Sequence, residues 1–91
     1  MNKYDSQLHI LRSVARSVAI HDQRASQQME SARFNLFAAI EGEDWELALK
    51  WLTALEVSIR AELTAEDPAN LLAVAQATIA DLRTALEQEA Q

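Results

Sequence analysis

The chain contains no cysteine, a single glycine, a single proline and only five aromatic residues other than histidine. Without cysteine there can be no disulfide, no thiolate nucleophile and no cysteine-ligated zinc or iron–sulfur site. One glycine cannot build a glycine-rich phosphate loop. One glycine and one proline also leave almost no punctuation for strands and tight turns. Long apolar runs are missing as well. The longest, Leu36 to Ile40 and Leu71 to Ala75, fall far short of the ~20 residues that span a bilayer, so no membrane association is expected. Residues Met1 to Asp5 lack the apolar run of a signal peptide. The expected location is the cytoplasm.

What is abundant is helix-forming. Seventeen alanines are scattered among Leu, Glu, Gln and Arg, a composition that predicts an all-α fold. The length of 91 residues suits one domain, 1–91. A monomer of this size buries only about two-thirds of its unfolded surface, which favours a partner chain. The net charge of −6 is unevenly placed: residues 1–40 sum to +2 and residues 41–91 to −8. Direct nucleic-acid binding is therefore not expected. An acidic half beside a mildly basic one suits helices that face each other, within one chain or between two.

Periodicity predicts an antiparallel helical bundle of three helices. Leu8, Leu11, Ala15, Val18, Asp22, Ala25, Met29, Ala32, Leu36 and Ala39 fall on strict a/d heptad spacing, which reads as one long first helix over about 5–41 with coiled-coil character. Asp5 or Ser6 can cap its start, and Gly42 stands where a C-terminal glycine belongs. The polar stretch from His21 to Arg24 is the place where this helix would break. Asp44 as N-cap opens a second helix over about 45–63, with Leu52, Leu55 and Ile59 on its core stripe. That helix is apolar over most of its circumference, so it is expected to be central with neighbours on two sides. Asp67-Pro68 opens the third, about 68–89, which carries Ile79 and Leu82 and is expected to pack on one side only.

The lengths then conflict. An unbroken first helix measures about 55 Å against about 30 Å for the others. Either it breaks near His21 and folds back into a four-helix bundle, or a second copy of the chain covers its N-terminal half. The even heptads favour the second arrangement. It makes the protein a homodimer that associates through Leu8, Leu11, Ala15 and Val18, with Asp22 setting the register.

No catalytic constellation is present, and the protein is read as not an enzyme. None of the six serines sits in a strand–turn–helix elbow or beside a candidate base. His9 and His21 point to different sides of a helix and cannot share a metal within one chain, so neither metal nor cofactor is expected. The acidic cluster Glu41, Glu43, Asp44 and Glu46 is explained by helix capping and by the dipole at a helix start. Phe34, nearly opposite the seam, and Trp51, at its edge, are the candidate contacts for a partner.

The segment from Phe34 to Pro68, with its Gly42, Trp45 and Leu49 turn and its Asp67-Pro68 ending, loosely resembles the helical hairpin of FliT-type flagellar export chaperones. It resembles tetratricopeptide hairpins more faintly. The likeness covers little more than a third of the chain and implies a chaperone or adaptor. The functional expectation is a protein–protein interaction module acting through helix packing, as a small adaptor, chaperone or regulator. The alternative is an acidic decoy that mimics nucleic acid or blocks a basic groove.

Overall fold

The computed structural model describes residues 4–18, 23–62 and 70–91, with only the backbone of Val18 and Ala25. Four helices make up the described chain: α1 (Asp5–Val18), α2 (Gln23–Glu41), α3 (Trp45–Glu62) and α4 (Leu71–Glu89). Among the described residues there is no strand. α1 packs on α2 and α4, and α3 packs on the same two helices, which closes a four-membered ring of neighbours.

The expected first helix over 5–41 is therefore two helices. The longest dimension of the molecule is 37 Å, too short for a continuous helix of about 55 Å. Ser26, early in α2, donates its hydroxyl to the carbonyl of Ala15, late in α1, at 2.7 Å. The two segments thus run as antiparallel arms. The heptad pattern continued through both because each arm buries its own a/d face. Periodicity specifies which face is buried and is silent on what buries it. Residues 19–22, with His21 and Asp22, lie outside the described residues.

This arrangement also covers the stripe assigned to self-association. Leu8, Leu11 and Ala15 are buried in the intramolecular core, with Leu11 only 1% exposed. No second copy is needed to cover those three residues. Val18 is helical, and its side chain lies outside the described residues along with Asp22. The last helix packs through one side as expected: Ala75, Ile79, Leu82 and Leu86 are buried against α3 and α1, while Ala73, Ala77, Ala80, Asp81 and Thr84 are exposed. Leu36, Ile40, Leu52, Leu55, Ile59, Ile79 and Leu82 are all buried in one core, as the periodicity predicts.

The helix ends show where local signals decide. Tyr4 takes the N-cap position of α1: its carbonyl accepts from the Leu8 N–H at 3.0 Å. The cap is thus one residue before Asp5, which instead complements the helix dipole from the first turn. Tyr4 is itself buried, and its hydroxyl donates to Glu89 Oε1 at 3.5 Å. That contact pins the start of α1 to the end of α4.

α2 ends in a Schellman motif. The Asp44 N–H reaches the Ala39 carbonyl at 2.9 Å and the Glu43 N–H reaches that of Ile40 at 3.0 Å. The left-handed residue this motif requires is Glu43 (φ 55°), while Gly42 has no positive φ. The glycine thus stands one residue before the position that most needs one. Asp44 then caps α3 as expected, its Oδ1 accepting from the Leu47 N–H at 3.2 Å. α4 begins at Leu71 rather than at Pro68, because Asn70 is left-handed (φ 54°) and cannot continue a helix. Residues Leu63 to Ala69, including Asp67-Pro68, lie outside the described residues.

Candidate functional site

Among the described residues the interior is apolar apart from Ser26 and Thr78, whose hydroxyls donate to backbone carbonyls, so a site must be sought on the surface. Among the described residues no helix is long and apolar enough to cross a membrane. Among the same residues no three His, Asp or Glu side chains gather to hold a metal ion. His9 is exposed on α1, and His21 lies outside the described residues.

Two surface features stand out. The first is apolar and lies on the α2–α3 hairpin. Phe34 is 63% exposed, Leu47 40% and Phe37 36%. Phe34, Phe37 and exposed Ala38 stand at i, i+3 and i+4, so they share a face of α2. Leu47 and Trp51 stand at i and i+4 on α3. Glu56 marks the side of α3 that meets α4, because it pairs with Arg83. Leu47 and Trp51 lie on the other side of the core stripe, the side toward α2. On α2, Ser26 marks the side toward α1 by its bond to Ala15, and Phe37, eleven residues on, falls on that same side, so the α2 patch and the α3 pair are separate apolar surfaces.

The sequence placed Phe34 off the seam, and it is exposed there. Trp51 is half-buried and packs against the core, so only part of its ring can serve a partner. Phe37 and Leu47 were missed. Phe37 could have been found from its i+3 spacing to Phe34. Leu47 was counted as an extension of the core stripe, and only the packing of α3 leaves it at the edge. Val57 on α3 and Val74 on α4 are also exposed.

The second feature is electrostatic. In an antiparallel four-helix ring, the starts of α1 and α3 and the ends of α2 and α4 lie at one end. Asp5, Glu41, Glu43, Asp44, Glu46, Glu87 and Glu89 belong to those helix ends or the α2–α3 turn, and all are exposed or half-exposed. Lys50, one turn into α3, is the nearest described cation to that turn along the chain. Residues far apart in sequence thus form one acidic pole, and Phe37 and Leu47 lie about one helical turn from it.

Two further sets of charged groups are paired within the fold. Arg83 Nη2 donates to Glu56 Oε1 at 2.9 Å, with Arg60 at 3.7 Å on the same carboxylate. The Arg83 hydrogen bond holds the Glu56 carboxyl below its ordinary pKa, against the opposing effect of its burial. Arg33 pairs with Glu30 at 3.1 Å within α2.

Comparisons with protein-family models, curated proteins and solved structures gave no match to this chain. The likeness of residues 34–68 to a flagellar-chaperone hairpin rests on the pattern of those residues alone.

Proposed function

We propose that the chain is a non-catalytic protein-interaction module, a small adaptor, chaperone or regulator. It would present the outer side of α2 to another protein. The observation that carries this reading is the 63% exposure of Phe34, with Phe37 one turn along the same helix, in a fold whose core is complete without them. A large aromatic left in water forgoes burial worth about 1.5–3 kcal/mol. Exposed aromatics of this kind are enriched at the centres of protein interfaces.

The test is capture of host proteins by the wild-type chain and by a Phe34→Ser, Phe37→Ser variant, with both confirmed as folded by circular dichroism. Loss of a reproducible captured protein in the variant supports the reading, and identical capture by both forms overturns it. The second reading, an acidic decoy for a basic groove, is favoured by the pole of seven carboxylates. Its binding should collapse as salt rises, whereas an apolar contact persists.

A further inference from the structure

We infer that the outward face of α3 is a self-complementary surface through which two copies of the chain form a weak antiparallel dimer. This face is separate from the Phe34 patch and from the stripe on α1. Leu47, Lys50, Ala54, Val57 and Ala61 stand at i, i+3, i+7, i+10 and i+14. They make a second a/d seam on a helix whose first seam is already in the core. All five are exposed, Leu47 at 40% and Val57 at 63%. α3 meets α2 and α4 through the stripe of Ala48, Leu52, Leu55 and Ile59, so no described helix covers the second seam.

What fits this seam is the same seam on another copy. Set antiparallel, Leu47 of each copy packs beside Val57 of the other, and Ala54 packs beside the aliphatic stem of Lys50. The two largest apolar residues of the seam thus cover each other twice, as a two-fold interface requires. The alanines let the two helix axes approach closely. The same register brings Glu46 of each copy beside Arg60 of the other, an opposite-charge pair on each flank. Arg60 is able to turn to it. Its side chain is 62% exposed and lies 3.7 Å from Glu56, which Arg83 already holds at 2.9 Å. A parallel pair would put Glu46 level with Glu46 and Arg60 level with Arg60. It would also bring Glu43 and Asp44 of both copies together, whereas the antiparallel pair keeps them a helix length apart, roughly 27 Å.

The surface is small, so the dimer is weak, half-formed at about 100 µM chain. Sedimentation equilibrium of the full chain, over concentrations on both sides of that value, reads it directly. Trp51, half-buried beside the seam, gives a second readout through its emission. Val57→Asp should weaken the dimer at least about tenfold. Its melting temperature, taken where the chain is monomeric, should be unchanged because the native side chain is exposed. Glu46→Arg and Arg60→Glu should each weaken the dimer several-fold, and the two together should restore it. Glu46→Arg lowers the net negative charge, so weakening there reports a lost pair and not general repulsion. Phe34→Ser with Phe37→Ser should leave the dimer as it is.

A monomer at every concentration overturns the inference and leaves the face to some other occupant. A dimer that Val57→Asp leaves intact, or that the phenylalanine substitutions dissolve, lies elsewhere and overturns it too. A dimer that ignores the single charge reversals, or that the double reversal fails to restore, is not the antiparallel one and overturns it as well.

Discussion

α1 and α2 share one a/d pattern, yet they treat solvent differently. The outward side of α1 is His9, Arg12, Ser13 and Arg16, all exposed and all polar. The outward side of α2 includes Phe34, Phe37 and Ala38. On the inside the two helices are alike: Leu8, Leu11 and Val14 in one, Met29, Leu36 and Ile40 in the other, all buried. The buried faces account for folding in both arms. The difference lies on the faces that folding leaves free, and there α2 carries exposed aromatic residues where the outward residues described for α1 are polar.

The strongest way to break this comparison is to attack the inner face. Leu11→Asp places a carboxylate where the native side chain is 1% exposed. An unpaired buried charge costs more than about 4 kcal/mol, a large part of the stability of a domain this size. Loss of the cooperative urea transition is expected, with helical circular dichroism much reduced. A variant that keeps its midpoint would show that α1 is not docked on α2 and α4.

A pair of changes in α2 separates the inner face from the outer. Leu36→Ala should cost about 2–5 kcal/mol by lost burial and a cavity. Phe34→Ser, two residues away, should cost no more than about 0.5 kcal/mol, since surface changes rarely exceed that. Chemical denaturation of both variants checks the contrast. A Phe34 penalty above about 1 kcal/mol would mean that its ring supports the fold.

The ends of the two helices sharpen the comparison further. α1 finishes with its Ala15 carbonyl satisfied by Ser26 from the next helix, whereas α2 finishes on its own backbone, with Glu43 in a left-handed conformation. Glu43→Gly should therefore stabilise the fold by about 0.5–1 kcal/mol, because glycine carries no Cβ penalty there. Gly42→Ala should also stabilise slightly, by about 0.4–1 kcal/mol through the unfolded chain. A Cβ at Gly42 would meet nothing nearer than the Ala38 carbonyl oxygen at 3.5 Å. Thermal melts of both variants decide it, and a destabilised Glu43→Gly would show that the carboxylate itself holds the turn.

The smallest effect belongs to the other hairpin. Glu56 has its pKa lowered in the folded chain, chiefly by the Arg83 hydrogen bond. Its contribution is present above the ordinary glutamate range and is lost as pH falls through the lowered folded value. Both side chains are partly exposed, so the pair is worth no more than about 1 kcal/mol. Glu56→Gln should lower stability at neutral pH and close the gap to wild type in acid, measured as denaturation midpoints across pH.

Much of the architecture was legible in the sequence. The buried positions of α3 and α4, the Asp44 cap and the exposure of Phe34 follow from local spacing and capping chemistry, which act over three or four residues. The reversal between α1 and α2 was not legible, because a heptad seam looks the same in a long helix and in two helices of a hairpin. The polar stretch from His21 to Arg24 was the sole local hint. The Ser26 bond to Ala15 was equally hidden, since a serine within a helical pattern gives no sign of which carbonyl it will meet.

The sequence by itself determined an all-helical chain, the face of each helix that is buried and the excess of acid in its second half. Those properties are set by side chains within a turn or two of each other. Only the tertiary structure decided that the N-terminal stripe is covered from within, that Leu47 is left exposed at the edge of the core, and that Asp5 and Glu87 stand at the same end as Glu43. Each of those depends on how antiparallel helices are brought side by side. Helical periodicity constrains orientation about an axis, and the arrangement of the axes comes from packing.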